Sequence, residues 1–298
     1  VPTPAAAWEA AAGLGLSVIG ACATVTFQHD DDKTRHAGGP SDERPTAGAG
    51  GRFTVTPGAP SGDGSPTGAA RTAPAARLPA VAAALSAVRR AMAGDVRIIV
   101  LRGDVWSLPT PTLPERAGHN LPAERDVAAR EETIAGWQAA FGWLADRADL
   151  VSIAAVDGAL SGAGLQLALS CDLRVLTRDV TLGLPETAAG LVPGLGASDL
   201  IVDLVGYPTA LDMCLTGRRL TAAEALAAGV AQRVVHPDEL DQTVAALVAA
   251  VLAVPRAAAV ETKALLRGAL DRGERHAAER RALARAALAR CLAGHPAG

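Results

Sequence analysis

The stretch from Val151 to Ser170 constrains this chain more than any other. Val151–Val156 is a short, almost wholly apolar run, as a strand buried on both faces requires. It leads into Gly158-Ala159-Leu160-Ser161-Gly162-Ala163-Gly164, after which a helix is expected over Leu165–Ser170. Small residues at such a junction let a ligand approach the backbone, and the first turn of the helix presents N–H groups with no helical partner. A junction of this kind stabilises an anion or a developing oxyanion. Two other strand–turn–helix devices are excluded. A dinucleotide fingerprint needs G-x-G-x-x-G, and Gly162-Ala163-Gly164-Leu165-Gln166-Leu167 lacks the last glycine. The G-x-S-x-G order of a nucleophile elbow is also absent, so Ser161 reads as a small turn residue, with no His tied to it by a motif.

Around this junction strands and helices alternate, which indicates an α/β fold. Ala23–Phe27 alternates and is β-branched, and Val96–Leu101 is a second buried run. Leu173–Leu176 and Val230–Val235 complete the strands. Helices are expected over 77–93, with Leu78, Val81, Leu85, Val88 and Met92 on one stripe, and over 123–147, with Trp137, Phe141 and Leu144 on another. A further helix starts near Ser198, Thr221-Ala222-Ala223-Glu224 is a capping box, and the chain is helical from Asp238 apart from a break at Pro255. Between Gly38 and Gly68, nine Gly and five Pro occupy 31 positions, too little apolar surface to offset ordering. The expected organisation is an N-terminal extension and first strand over 1–29, a flexible insertion over 30–74, a core over 75–237 and C-terminal helices over 238–298.

Composition excludes several classes. The 298 residues carry a net charge of −3 and only 3% aromatics, which argues against a nucleic-acid binder. Cys22, Cys171, Cys214 and Cys291 are far apart, form no C-x-x-C pair and have no His cluster beside them, so no metal site is expected. They read as reduced thiols, hence a cytoplasmic setting. His29, Asp30, Asp31, Asp32 and His36 read as a solvated loop rather than as metal ligands. Residues 10–27 are apolar, but Trp8 and Glu9 precede them without a basic segment, so neither a signal nor a membrane span is expected.

The motifs over Ile153–Val235 resemble the enoyl-CoA hydratase/isomerase family, the crotonase superfamily. The matching pieces are Ala154-Ala155-Val156-Asp157-Gly158, the run from Gly162 to Arg174, Gly183-Leu184-Pro185-Glu186 and Gly190-Leu191-Val192-Pro193-Gly194. Leu215-Thr216-Gly217-Arg218, Ala223-Glu224-Ala225 and Gly229-Val230 follow in order, with weaker similarity back to Val96 and forward through Thr262-Lys263-Ala264. The resemblance implies a crotonase-like spiral of ββα units with a C-terminal helical region, assembled as trimers or hexamers. It implies an acyl-CoA substrate whose thioester oxygen sits in an oxyanion hole, with coenzyme A arriving as part of the substrate and no other cofactor. One oxyanion donor would be the Ala163 N–H. The other would come from the loop after the strand ending at Leu101, where Ser107-Leu108-Pro109-Thr110-Pro111-Thr112-Leu113 departs from the family pattern. Pro109 and Pro111 have no N–H, which leaves Thr112 as the candidate, with Thr110 next.

The family's hydratases use two carboxylates, and the matching positions here are Gln166 and Glu186. Glutamine orients a water but cannot ionise, whereas moving a double bond needs a single base. The resemblance therefore implies isomerase-like chemistry, with Glu186 as acid/base, Gln166 as an orienting group and Lys263 near the CoA phosphates. The alternatives are a hydratase in which Gln166 positions a water for Glu186, a non-catalytic CoA-thioester-binding subunit, and a serine hydrolase acting through Ser161. Asp172 and Glu224 read as structural, and His236 as a surface turn residue.

Overall fold

The computed structural model describes residues 14–27, 77–92, 94–108, 127–270, 278–279, 281–282, 284–286 and 288–289. They fall within one compact unit, Val1–His29 with Ala73–Gly298. The expected insertion over 30–74 lies outside the described residues, as do His29, Thr110, Thr112 and Cys291.

Two sheets carry the architecture. Strands β1 (Leu14–Ile19), β2 (Cys22–Phe27), β3 (Ile98–Gly103), β4 (Val151–Val156), β6 (Leu173–Thr177) and β9 (Arg233–Val235) form the larger, in the order β1-β2-β3-β4-β6-β9. Its pairs are parallel apart from β1 with β2, a hairpin that turns at Gly20 with φ 57°. Strands β5 (Ala159–Ser161), β7 (Thr181–Gly183) and β8 (Leu220–Thr221) form a smaller sheet in the order β5-β7-β8. The chain thus repeats one device. A strand of the large sheet is followed by a short strand of the small one and then by a helical segment: β4–β5–α3 (Ala163–Ser170), and β6–β7 with a 3-10 turn over Pro185–Ala189. Three-residue strands are too short to show alternation, so β5 and β7 read as loop in the sequence.

Both faces of the large sheet are covered. Ile99, Leu101, Ala154, Val156 and Leu176 share a core with α1 (Arg77–Ala91), α2 (Val127–Asp146) and α3. Ile98, Val100, Ile153, Ala155 and Val175 pack on Leu240 and Val244 of α7 (Leu240–Ala253). Alternate residues of one strand feed opposite cores, which is why the strands are apolar throughout. The stripes read from the sequence are buried: Leu85 and Val88 in α1, Trp137, Phe141 and Leu144 in α2.

The remaining helices are α4 (Ser198–Val205), α5 (Tyr207–Thr216), α6 (Ala222–Ala227) and α8 (Arg256–Leu270). The Thr221–Glu224 capping box opens α6 as expected. The strand expected over Val230–Val235 is confined to Arg233–Val235, and His236 caps the 3-10 turn that follows. Among the described residues no single helix is long and apolar enough to cross a membrane.

Buried Arg174 on β6 ties the end of α3 to the chain before β9. Its guanidinium donates to the carbonyls of Cys171 (2.6 Å), Ala168 (3.2 Å) and Val230. Backbone carbonyls thus solvate a buried cation, and removing it takes a donor from each of them, although Ala168 O keeps the Cys171 N–H.

Candidate active site

The eight residues of α3 are all buried, an uncommon place for a helix that contains Gln166. Its start is set by Gly162, whose φ of 57° and ψ of −131° turn the chain out of β5. Gly162 N donates to Gly183 O of β7, and the first intrahelical bond runs from Gln166 N to Gly162 O (3.0 Å). The N–H groups of Ala163, Gly164 and Leu165 precede that bond and have no acceptor within the helix. The 3-10 turn Asp104–Ser107, which follows β3, packs against the start of α3 at Gly164.

That turn is held hard against α3. Trp106 is buried and its Nε1 donates to Ala155 O (2.8 Å). A Cβ at Gly164 would collide with the Trp106 carbonyl and lie 2.8 Å from its Cα. Gly164→Ala therefore sets backbone against backbone, with no flexible side chain to yield. It is expected to destabilise the protein by more than the about 1–3 kcal/mol of ordinary overpacking. Urea unfolding measures this; a midpoint within error of wild type would show that the turn gives way freely. Leu108 ends the turn with φ −64° and ψ 119°, the extended conformation that a following proline imposes.

Glu186 lies on the other side. Pro185 occupies the first position of its 3-10 turn, and Gly190 ends it with φ 72°. Thr187 Oγ1 donates to Cys214 O, fastening the turn to α5. The carboxyl of Glu186 is 1% exposed, and burial pushes its pKa above the ordinary carboxylate value. One oxygen, Oε1, accepts from Gln166 Nε2 (2.8 Å), which opposes that rise. The other, Oε2, is buried and has no hydrogen-bond partner among the described residues. Gln166 Oε1 accepts in turn from Leu195 N (2.9 Å). A backbone N–H only donates, so the amide must turn its oxygen to Leu195 and its nitrogen to Glu186.

The structure thus brings Glu186 and Gln166 into direct contact and puts Ala163 at the start of the same helix. Thr112 lies outside the described residues. Lys263 is elsewhere: its ammonium donates to Leu150 O and to Asp172 Oδ2 (2.7 Å), and burial pulls its pKa down. Asp172 follows the last turn of α3, about 12 Å of helix from Ala163 at 1.5 Å per residue. Asp172 also accepts from Ser152 N and Oγ, so the Lys263–Asp172 pair serves the fold and gives no support to a CoA contact. Among the described residues the only histidine is His236, engaged in its own cap, which leaves Ser161 without a described base. Trp106 and Leu195 were not legible as site residues. Leu195 acts through its backbone, and Trp106 reads as an apolar residue before a proline-rich loop.

A family model described as enoyl-CoA hydratase/isomerase matches residues 112–288. YngF of Bacillus subtilis (strain 168), a candidate enoyl-CoA hydratase/isomerase, is 43% identical over 101 residues, which is 34% of this chain and 39% of that protein. The chain therefore spans about two fifths of that curated relative. Similar solved structures include a candidate enoyl-CoA hydratase of Thermobifida fusca YX in complex with CoA, 33% identical over 95% of each chain with a TM-score of 0.64. A candidate enoyl-CoA hydratase of Thermobifida fusca YX in complex with acetoacetyl-CoA is 34% identical over 95% of this chain and 97% of that one, with a TM-score of 0.65.

Proposed function

Because the chain belongs to the enoyl-CoA hydratase/isomerase family, we propose that it moves the double bond of an enoyl-CoA thioester by a single-carboxylate proton shuttle. The observation that carries this reading is the Glu186–Gln166 pair: one ionisable group, one amide, and one carboxylate oxygen with no hydrogen-bond partner among the described residues. Ionised Glu186 takes a proton from the carbon next to the thioester carbonyl. The electron pair moves to the carbonyl oxygen, which the Ala163 N–H stabilises at the start of α3. As the carbonyl re-forms, the double bond shifts toward it and the same carboxyl returns the proton two carbons further along. Neither a metal nor a redox cofactor takes part in these steps; coenzyme A is a portion of the substrate.

For the second oxyanion donor we keep Thr112 as a candidate and add the Leu108 N–H, the end of the turn that Gly164 abuts. Hydration by Glu186 with a Gln166-held water is the second reading, since the remaining Nε2 hydrogen of Gln166 can meet a water. Supplying 3-enoyl-CoA thioesters and following the 2-enoyl products by mass spectrometry tests the proposal. Thioester binding with no turnover of any chain length would favour a binding subunit instead.

We also propose a cytoplasmic homotrimer or hexamer. Tyr207, Leu211 and Leu215 are spaced four residues apart on α5 and are 63%, 40% and 64% exposed, an apolar stripe suited to a second copy. Sedimentation at micromolar concentration is expected to give a trimer or larger, and a monomer would refute the assembly.

A further inference from the structure

Behind Gln166 the buried amides continue. Gln138 stands on α2 among Trp137, Phe141 and Leu144 and is 6% exposed, a polar side chain in an otherwise apolar stripe. Its Nε2 donates to Gly194 O (2.6 Å), and its Oε1 accepts from Arg285 Nη1 (3.0 Å). The Gly194 carbonyl and the Leu195 N–H belong to one planar trans peptide, so they point in opposite directions. Gln138 grips the oxygen end of that peptide and Gln166 accepts from its nitrogen end. Leu288 presses on the same turn: a Cβ at Gly194 would lie 2.7 Å from its Cδ2.

These bonds all run one way. Arg285 only donates, so the amide of Gln138 must show it oxygen and turn nitrogen to Gly194. Leu195 N–H only donates, so Gln166 must turn nitrogen to Glu186. A chain of donors therefore leads from the Arg285 guanidinium to Glu186 Oε1, and each bond polarises the next. We propose that Gln138 is a positioning residue for the proton-transfer site: through the Gly194–Leu195 peptide it locks the Gln166 amide in the orientation that holds Glu186 Oε1 and leaves Oε2 for the substrate. The inference rests on the reading of Glu186 as the base, and it gives the C-terminal residues a part in the site through Arg285.

Gln138→Leu keeps the volume and removes the hydrogen bonds to Gly194 and Arg285, together with a longer one to Arg281 O (3.5 Å). It is expected to lower kcat by about 10–10²-fold, the size of a misplacement away from the chemistry, with KM changed less than kcat. In a Gln166→Ala background there is no amide to orient, so Gln138→Leu should cost little more. Equal losses in both backgrounds would mean a merely structural role and overturn the proposal. Arg285→Leu breaks the chain at its outer end without touching the core and keeps the test available if Gln138→Leu fails to fold; the same pattern on a smaller scale is expected. The Gln166 side-chain amide resonances, assigned by their absence in Gln166→Ala, supply a readout independent of activity. They should shift and exchange faster in Gln138→Leu, and unchanged resonances would overturn the proposal. Full activity in Glu186→Gln would instead remove Glu186 as the base and leave the amide result standing.

Discussion

Glu186→Gln is expected to lower turnover by about 10²–10⁴, the usual worth of general acid–base catalysis, and to make the protein more stable at neutral pH. Both follow from one carboxyl. Its removal leaves the shape of the site and the Gln166 contact but takes away the carboxylate that accepts the proton. Its burial raises the folded-state pKa above the ordinary value of 4.5. The folded protein then holds a proton that the unfolded chain has released. The resulting stabilisation is complete below the unfolded value and is lost as pH rises through the folded one. The glutamine variant has no such dependence. Its stability relative to wild type should rise from about pH 4.5 upward and level off above the folded pKa of Glu186, as urea unfolding across pH would show. A stability difference that shrinks with pH would mean that the buried carboxylate is better stabilised than its surroundings indicate. For the same reason the acid limb of the activity profile should lie above the ordinary carboxylate range.

The second large effect is a gain. Gln166→Glu keeps an oxygen to accept from Leu195 N and places a second carboxylate oxygen where Nε2 now stands, 2.8 Å from Glu186 Oε1. Two carboxylates that close cannot both ionise in a buried site, so they share a proton and one pKa rises. An acid and a base then stand side by side, which is what water addition needs. Hydration of crotonyl-CoA, followed by loss of the enoyl-thioester absorbance, should increase by about 10² or more over wild type. No gain, with the fold intact, would mean that the amide is not what limits hydration.

The legible part of the molecule was the part that repeats or that sits in ordered motifs. Apolar strands β3, β4 and β6 and the stripes of α1 and α2 follow from burial patterns, and Ala163, Gln166 and Glu186 from the motifs that place them. The hairpin strand β1 is not legible because Leu14–Ile19 mixes glycine and serine with its apolar residues, nor are β5, β7 and β8, because two or three residues show no period. Backbone groups carry no signature, so the Leu195 N–H that orients Gln166 could not be read. Gln138 did leave a trace, a lone amide in an apolar stripe, but its meaning depends on a turn 56 residues away. Lys263 illustrates the converse: a basic residue in the right motif is engaged by an aspartate 91 residues away.

The single-carboxylate shuttle stands or falls on one partition. Wild-type protein given 3-enoyl-CoA and crotonyl-CoA in parallel, with double-bond migration and water addition scored separately by mass spectrometry, should migrate the double bond faster than it hydrates. Hydration of crotonyl-CoA at the pace of a median enzyme, about 10 s⁻¹ or more, with slower migration would contradict the single-carboxylate shuttle and establish Gln166 as the holder of a water that Glu186 activates alone.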